Sequence, residues 1–174
     1  MLANDEASFR EFVDARSTRL LRTAFLLTGD WHLAEDLVQE TLVKLYVVWR
    51  RVTRRDDNEP YARKTLVNTY IDSTRRPWRR EHAVEAVPDR IGTGDPADRG
   101  DPGTRDRLLA ALAGVPPRQR AVLVLRFWED LSVNQVAELL GCSSGNVKSQ
   151  TVRGLERLRQ VLGPQVLATL EEQR

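Results

Sequence analysis

The stretch that most constrains this chain is 132–162, which is typical of two short helices joined by a tight turn. Ser132 can accept a hydrogen bond at the start of the first helix, and Gln135 three residues later completes the pattern of a capping box. Gly141 can adopt the left-handed backbone that ends a helix, and either serine of the Ser143–Ser144 pair can cap the next one. We therefore predict a helix-turn-helix here.

The second helix of this pair has an apolar face and a basic, polar face. Its apolar positions, at steps of three and four, are Val147, Thr151, Leu155, Leu158 and Leu162. Residues 144–160 contain four basic residues and one acidic residue, a net charge of +3. An ordinary helical hairpin that binds nothing would also be amphipathic, but it would not need this excess of positive charge. The charge favours binding to DNA.

The rest of the chain shows helical periodicity and no strand alternation of useful length. The predicted helices are 6–28, 31–52, 61–75, 107–113 and 116–128, with a polar loop at 53–59. Residues 81–103 contain three prolines and four glycines and carry a net charge of −4, which is typical of a flexible linker. We predict an all-α fold in which two small helical domains, 1–80 and 104–174, are joined by this acidic linker.

Two surfaces of the first domain allow two interpretations each. Asp36, Gln39 and Glu40 form a polar stripe that is either a solvated face or an acidic docking surface. Residues 50–80 contain ten basic and four acidic residues, a net charge of +6. With three interspersed aromatic residues, this segment suits a nucleic-acid strand whose phosphates need neutralising and whose bases need stacking partners. The other interpretation is that the aromatic residues, Tyr61, Tyr70 and Trp78, pack in the core.

Composition and motifs do not support an enzyme. The chain lacks a glycine-rich phosphate loop, a nucleophile with a matching base and metal-ligand spacing. Cys142 is the single cysteine, and together with His32 and His82 it does not have the spacing of a zinc site. No stretch approaches the ~18 apolar residues of a membrane span, and the first residues lack an apolar run. We expect a cytoplasmic protein with no membrane contact, no metal and no cofactor.

Three segments together resemble the extracytoplasmic-function sigma factors of bacterial RNA polymerase, a group of the sigma-70 family. They are DLVQETLVKLY (36–46), KTLVNTYIDSTRR (64–76) and the stretch from Pro116 to Arg159. The resemblance implies a sigma-2-like and a sigma-4-like domain that bind core polymerase and direct it to promoters. The third segment alone also resembles activators of the LuxR type.

The resemblance also implies roles for residues of the first domain. Asp36, Gln39 and Glu40 correspond to the motif that docks on the clamp helices of the β′ subunit. The residues that correspond to the part reading the melted −10 element are Arg54, Arg55, Asp57, Asn58, Arg63, Lys64, Asn68, Thr69, Asp72, Arg75 and Arg76. Reading that element requires single-strand chemistry, because a base is taken out of the stack.

In the second domain the resemblance implies contacts to the −35 element, and the β flap of the polymerase is a further expected partner. The expected −35 residues are Arg126, Asn146, Lys148, Ser149, Gln150, Val152, Arg153 and Arg157. Lysine and arginine at a helix end can donate to guanine in the major groove, whereas Arg157 is expected to contact phosphate. The family usually has threonine at Asn146 and a basic residue at Gln150, so its −35 sequence does not transfer. An anti-sigma factor is left open as a further partner.

Two other functions are consistent with parts of the sequence. A stand-alone transcriptional regulator would need the helix-turn-helix, but not the acidic stripe, the basic segment and the long linker together. A protein-interaction module that sequesters polymerase would not need the two basic surfaces. The leading hypothesis is an alternative sigma factor.

Overall fold

The computed structural model describes residues 2–53, 58–75 and 102–163. These residues form seven α-helices and no strand, which confirms the predicted all-α class. The first half of the fold consists of α1 (Leu2–Thr28), α2 (Trp31–Thr53) and α3 (Asn58–Thr74). The second half consists of α4 (Pro102–Ala113), α5 (Pro117–Leu123), a π-helical turn (Val124–Trp128), α6 (Val133–Leu140) and α7 (Ser144–Leu162).

The junction between α1 and α2 follows from local sequence. Gly29 has a φ of 74° and donates its N–H to the carbonyl of Phe25, which ends α1. The carboxylate of Asp30 then accepts a hydrogen bond of 2.9 Å from the N–H of Leu33, as predicted for a residue that caps α2. The two helices are therefore antiparallel neighbours, connected by a short turn.

The predicted loop at 53–59 is wrong at both ends. Thr53 still belongs to α2, and α3 already begins at Asn58; residues 54–57 lie outside the described part of the chain. Pro60 does not prevent the early start, because a proline in the first turn of a helix lacks an N–H that would have no partner within the helix. For the same reason α4 begins on Pro102 instead of Arg107, within the predicted linker, whose residues 81–101 are not described.

The hydrophobic core is continuous across the two halves. One cluster of buried side chains includes Leu37 and Leu66 of the first half together with Val122, Val136 and Val147 of the second. A smaller cluster joins α4, α5 and α7 through Ala111, Leu112, Val115, Leu123 and Leu158. The two sets of helices thus pack against each other.

Arg120 is a buried cation at the junction of the halves. Its guanidinium donates to the carbonyl of Leu27 at 2.7 Å and to that of Ala113 at 2.6 Å. These carbonyls belong to the last turns of α1 and α4, where the helix dipole favours positive charge. Burial lowers the pKa of Arg120, and burial also raises the pKa of nearby Tyr70; the attraction between the two groups partly opposes both shifts.

Candidate nucleic-acid interface

The helix-turn-helix predicted from residues 132–162 is present as α6 and α7. Ser132 and Gln135 form the reciprocal capping box, with hydrogen bonds of 3.2 Å and 2.8 Å. Gly141 has a φ of 64° and ends α6 in the left-handed conformation. Of the two candidate caps for α7, Ser143 accepts a hydrogen bond from the N–H of Asn146 at 3.1 Å. Local sequence therefore accounts for where α6 ends and where α7 begins.

The polar side of α7 is open to solvent. Arg126 and Gln150 are half-buried, whereas the other predicted −35 residues are exposed: Asn146, Lys148, Ser149, Val152, Arg153 and Arg157. Val147 and Leu158 face the core on the opposite side. The structure thus gathers most of the predicted DNA-reading side chains on one helix face, where amide, hydroxyl and cationic groups can reach base edges and phosphates.

Gly154 is a residue of α7 that the sequence analysis missed. A Cβ at this position would lie 2.9 Å from Cδ1 of Leu123, closer than real Cβ atoms approach other heavy atoms. The missing side chain lets α7 pack tightly on α5. The signal in the sequence was a glycine in the interior of a helix, where it is costly unless packing requires it.

Arg126 makes a hydrogen bond within its own half. Its guanidinium donates to the carbonyl of Leu131, in the segment that connects the π-helical turn to α6. This contact supports the turn that precedes the helix-turn-helix. Arg126 is half-buried, and its contact with DNA stays a prediction.

The predicted −10 residues of α3 include both exposed side chains and a buried one that is hydrogen-bonded within the protein. The exposed polar residues of α3 are Lys64, Asn68 and Asp72, and Arg75 just after the helix is also exposed. Thr69 is instead 2% exposed, and its hydroxyl accepts a hydrogen bond of 3.0 Å from Nζ of Lys44. Asn58 is the first residue of α3 and is half-buried. The other predicted −10 residues, Arg54, Arg55, Asp57 and Arg76, lie outside the described ranges.

Arg63 of α3 is bound by an acidic residue of the second half that the sequence analysis did not single out. Its Nε lies 3.0 Å from Oε2 of Glu129, which also accepts from Nη2 of Arg19 at 2.9 Å. The hydroxyl of Thr23 donates to Oε1 of Glu129 at 2.6 Å. The Glu129 side chain is only 3% exposed. No local pattern points to this cluster, since its members are up to 110 residues apart.

The predicted acidic stripe lies on the outer face of α2. Asp36 and Gln39 are exposed, and the half-buried Glu40 pairs with Lys44 at 3.0 Å. One further turn along the same face, three apolar side chains project into solvent: Val43, Tyr46 and Val47 are 65%, 56% and 79% exposed. An apolar extension next to a polar stripe is typical of a protein-binding surface.

Within residues 2–53, 58–75 and 102–163, no group of histidine, cysteine or acidic side chains could hold a metal ion. None of the helices in these ranges is long and apolar enough to cross a membrane.

Comparison with known proteins gives matches across both halves. The family model "Sigma-70 region 2" matches residues 12–80, and "Sigma-70, region 4" matches residues 105–158. The RNA polymerase sigma-E factor of Streptomyces coelicolor is 36% identical over 156 residues, which cover 88% of this chain and 85% of the relative. The ECF RNA polymerase sigma factor SigL of Mycobacterium tuberculosis is 34% identical over 170 residues, covering 92% and 94%.

A solved structure supports the fold. The sigma factor RpoE of Bartonella quintana, crystallised with the anti-sigma factor NepR, superposes with a TM-score of 0.69. The similarity covers 90% of this chain and 98% of the other at 24% identity, which is evidence for a shared fold alone.

Proposed function

This chain belongs to the extracytoplasmic-function group of the sigma-70 family, and we propose how its two halves divide the work of an alternative sigma factor. Such a factor binds core RNA polymerase and directs it to specific promoters. The first half is the polymerase-docking and −10 domain, residues 1–80. The second half is the −35 domain, residues 104–174, and residues 81–103 connect the two.

We assign the −35 contact to the exposed face of α7. Lys148 and Arg153 lie one turn or more from the capped N-terminus of the helix and carry the donors that suit guanine edges. Arg157, a further turn along, suits a phosphate and so positions the helix without specifying sequence. The exposure of Asn146, Lys148 and Ser149 in the first turns of α7 supports this assignment.

We assign the −10 contact to the face of α3 and the polymerase contact to α2. Lys64 and Asn68 on α3 and Arg75 just after its end are exposed, and they offer two cations and an amide to a melted strand. Asp36, Gln39 and Glu40, with the exposed apolar turn after them, suit the docking surface on α2. These helices pack directly against each other, so docking and strand binding take place on one rigid unit.

The proposed action is binding alone, in the cytoplasm, with no bond made or broken by the protein. What carries the proposal is the presence in one chain of an exposed basic recognition helix and of a first half that matches sigma region 2 over residues 12–80. A stand-alone regulator would have no use for the second of these features. An anti-sigma factor, as in the solved relative, is a candidate partner of this chain.

The test is a pull-down with bacterial core RNA polymerase, followed by run-off transcription on a fragmented genomic library. Stable core binding with new, specific start sites is expected, and the start sites reveal both promoter elements. Specific duplex binding without core association would replace this proposal with a stand-alone regulator. Core binding without initiation would point to a module that sequesters polymerase.

A further inference from the structure

The two helices of the helix-turn-helix are linked by a hydrogen bond between side chains. The hydroxyl of Ser144, the first residue of α7, donates to Oδ1 of Asn134 in the first turn of α6 at 2.8 Å. The two residues are ten positions apart, on opposite sides of the turn at Gly141. Within the described part of the chain this is the only hydrogen bond of the Asn134 side chain. It holds Asn134 against the start of α7.

This contact adds Asn134 to the surface of α7 that is assigned to the −35 element. Residues four positions apart lie on the same side of a helix, so Ser144, Lys148 and Val152 form one row. Lys148 and Val152 are exposed and belong to the expected −35 residues. Asn134 is exposed as well, and it contacts the first member of this row. The surface offered to DNA therefore includes a residue of α6 at the N-terminal end of α7.

The hydrogen bond determines which group Asn134 presents to a ligand. A side-chain amide has one carbonyl oxygen, which accepts, and one NH2 group, which carries two donors. The oxygen receives the hydroxyl of Ser144, so the NH2 group is left for another partner. Asparagine is among the residues that donate to DNA phosphates, and the first helix of a helix-turn-helix crosses the DNA backbone. A phosphate beside the −35 element is the ligand whose chemistry fits this amide.

The same hydrogen bond contributes little to the stability of the fold. Asn134 is exposed, and both side chains can bind water when the bond is broken, so the net gain on folding is small. The bond does restrict the rotamers of Asn134. A side chain that is already held in place loses less conformational entropy when it meets its ligand. The main effect of the bond is therefore on binding.

We propose that Asn134 donates a hydrogen bond to a DNA phosphate beside the −35 element, and that Ser144 is a positioning residue that holds the Asn134 amide for this contact. The proposal rests on the −35 function assigned above and extends the DNA-binding surface from α7 to α6. A phosphate contact of this kind orients the protein on the duplex without reading its sequence.

The test measures binding of the full chain, in complex with core polymerase, to two fluorescein-labelled duplexes by fluorescence anisotropy. One duplex carries the −35 element identified from the run-off start sites, and the other has the same flanks with that element scrambled. Asn134→Ala is expected to weaken binding to both duplexes by about five-fold, since it removes one neutral hydrogen bond. Because the amide is uncharged, the slope of log affinity against log salt should stay that of the wild type.

Asn134→Asp separates the DNA contact from a role in the fold. Aspartate keeps an oxygen for the hydroxyl of Ser144, replaces the NH2 donors with a second acceptor, and is favoured in the first turn of a helix. The midpoint of thermal unfolding should be unchanged or higher, whereas binding to both duplexes should fall by more than in Asn134→Ala. Gln135→Glu is the matched control, because it adds the same charge to the same turn and keeps the capping box. It should weaken binding less than Asn134→Asp.

Ser144→Ala tests the positioning role. Without the hydroxyl, the Asn134 amide regains its rotamer freedom, and binding to both duplexes is expected to fall by about two-fold. In the Asn134→Ala background the same substitution should have no further effect, because both changes act on one contact. A loss of the same size in the two backgrounds would overturn the positioning role of Ser144.

Two results would overturn the phosphate contact. One is unchanged binding of Asn134→Ala to both duplexes; the other is a loss confined to the duplex with the intact −35 element, which would mean that base reading by α7 is disturbed. Arg153→Ala tests the assigned function separately, because it removes sequence reading. If Arg153→Ala binds both duplexes as the wild type does while Asn134→Ala weakens both, the −35 assignment fails and the contact with phosphate stands.

The same variants are also measured as free chains on a duplex of mixed sequence. A phosphate contact contributes to this binding whether or not the chain binds core. If the wild type does not bind core, the assignment as a sigma factor fails, and the free chains test the contact by themselves. Weaker binding by Asn134→Ala than by the wild type then supports the contact, and equal binding overturns it.

Discussion

Leu123 of α5 occupies the space that a side chain on Gly154 of α7 would need: the nearest Leu123 carbon would lie 2.9 Å from the added Cβ. Gly154→Ala should therefore destabilise the second half. Overpacking of this kind costs about 1–3 kcal/mol, and the better helix propensity of alanine offsets about 0.5–1 kcal/mol of it. The measurement is the midpoint of thermal unfolding, which falls by about 2–4 °C for each kcal/mol in a chain of this size.

Gly145→Ala is the matched control for that experiment, because it introduces the same methyl group on the same helix. The added Cβ would lie 3.9 Å from Oγ of Ser143, an ordinary contact. An unchanged or slightly higher midpoint is expected. Equal losses in the two variants would mean that the contact with Leu123 does not determine the effect.

Substitutions on the exposed face of α7 should separate sequence reading from phosphate contact. Arg153→Ala is expected to lower transcription from −35-dependent promoters by removing about 1–3 kcal/mol of base discrimination. Arg157→Ala should weaken binding to all sequences alike and reduce the slope of log affinity against log salt by about one. The measurement is run-off transcription on promoters with wild-type and scrambled −35 elements. Unchanged −35 dependence in Arg153→Ala would refute the assignment.

The outer face of α2 should control polymerase affinity without changing DNA contacts. Combined alanine substitution of Asp36, Gln39 and Glu40 is expected to weaken core binding by about 2 kcal/mol or more, the level of an interface hot spot. Glu35→Ala removes an exposed acid from the same helix outside this stripe and should bind as the wild type. The measurement is the Kd for core by fluorescence anisotropy; a triple variant that binds core normally would contradict the docking surface.

Two neighbouring residues of α3 should have different roles, because one is exposed and the other buried. Asn68→Ala is expected to reduce promoter melting while it changes stability by less than about 0.5 kcal/mol. Thr69→Val removes the hydroxyl that accepts from Lys44 and should cost about 1 kcal/mol of stability while leaving −10 base preference intact. Permanganate reactivity of −10 thymines and thermal unfolding measure these two effects. An altered −10 base preference in Thr69→Val would mean that Thr69 takes part in recognition of the −10 element.

Tyr70 predicts a loss of stability in alkaline solution. Burial raises the pKa of its phenol above the ordinary value of 10.0. The unfolded chain therefore ionises first as the pH rises, and stability that is fully present below pH 10.0 declines until the folded pKa is passed. Tyr70→Phe should remove this part of the pH dependence of unfolding by urea. If the free energy of unfolding changes with pH above 10.0 in the same way in the wild type and in Tyr70→Phe, Tyr70 is not the source of that change.

The elements that sequence analysis located correctly are those determined by short-range chemistry. Ser132, Gln135 and Gly141 act on backbone groups within a few residues, so their spacing alone predicts the capping box and the left-handed turn. The basic face of α7 follows in the same way from helical periodicity. The predicted loop at 53–59 was wrong at its ends because polar residues that break the apolar periodicity were taken as a sign of irregular structure, whereas the last turn of α2 and the first turn of α3 are themselves polar.

Features of the candidate sites that depend on distant residues could not be read in this way. Periodicity places Thr69 near the buried side of α3, whereas the resemblance places it among the −10 residues; only the structure shows that Lys44 of α2 donates to its hydroxyl. Arg63 looks like any surface cation of a basic segment until Glu129 is brought to it from the second half. Such positions depend on which helices meet, and periodicity within one helix carries no information about its partners.

The amino-acid sequence by itself determined the helical preference of the segments that form the seven helices, and the caps of α6 and α7. It also determined which polar and charged side chains are offered to DNA and to a protein partner. These follow from interactions over three or four residues. Only the tertiary structure decided that Gly154 must remain small, that Lys44 contacts Thr69 and that Glu129 binds Arg63 across the junction. Those outcomes depend on the desolvation and close packing of residues far apart in the chain, which arise when the two halves meet.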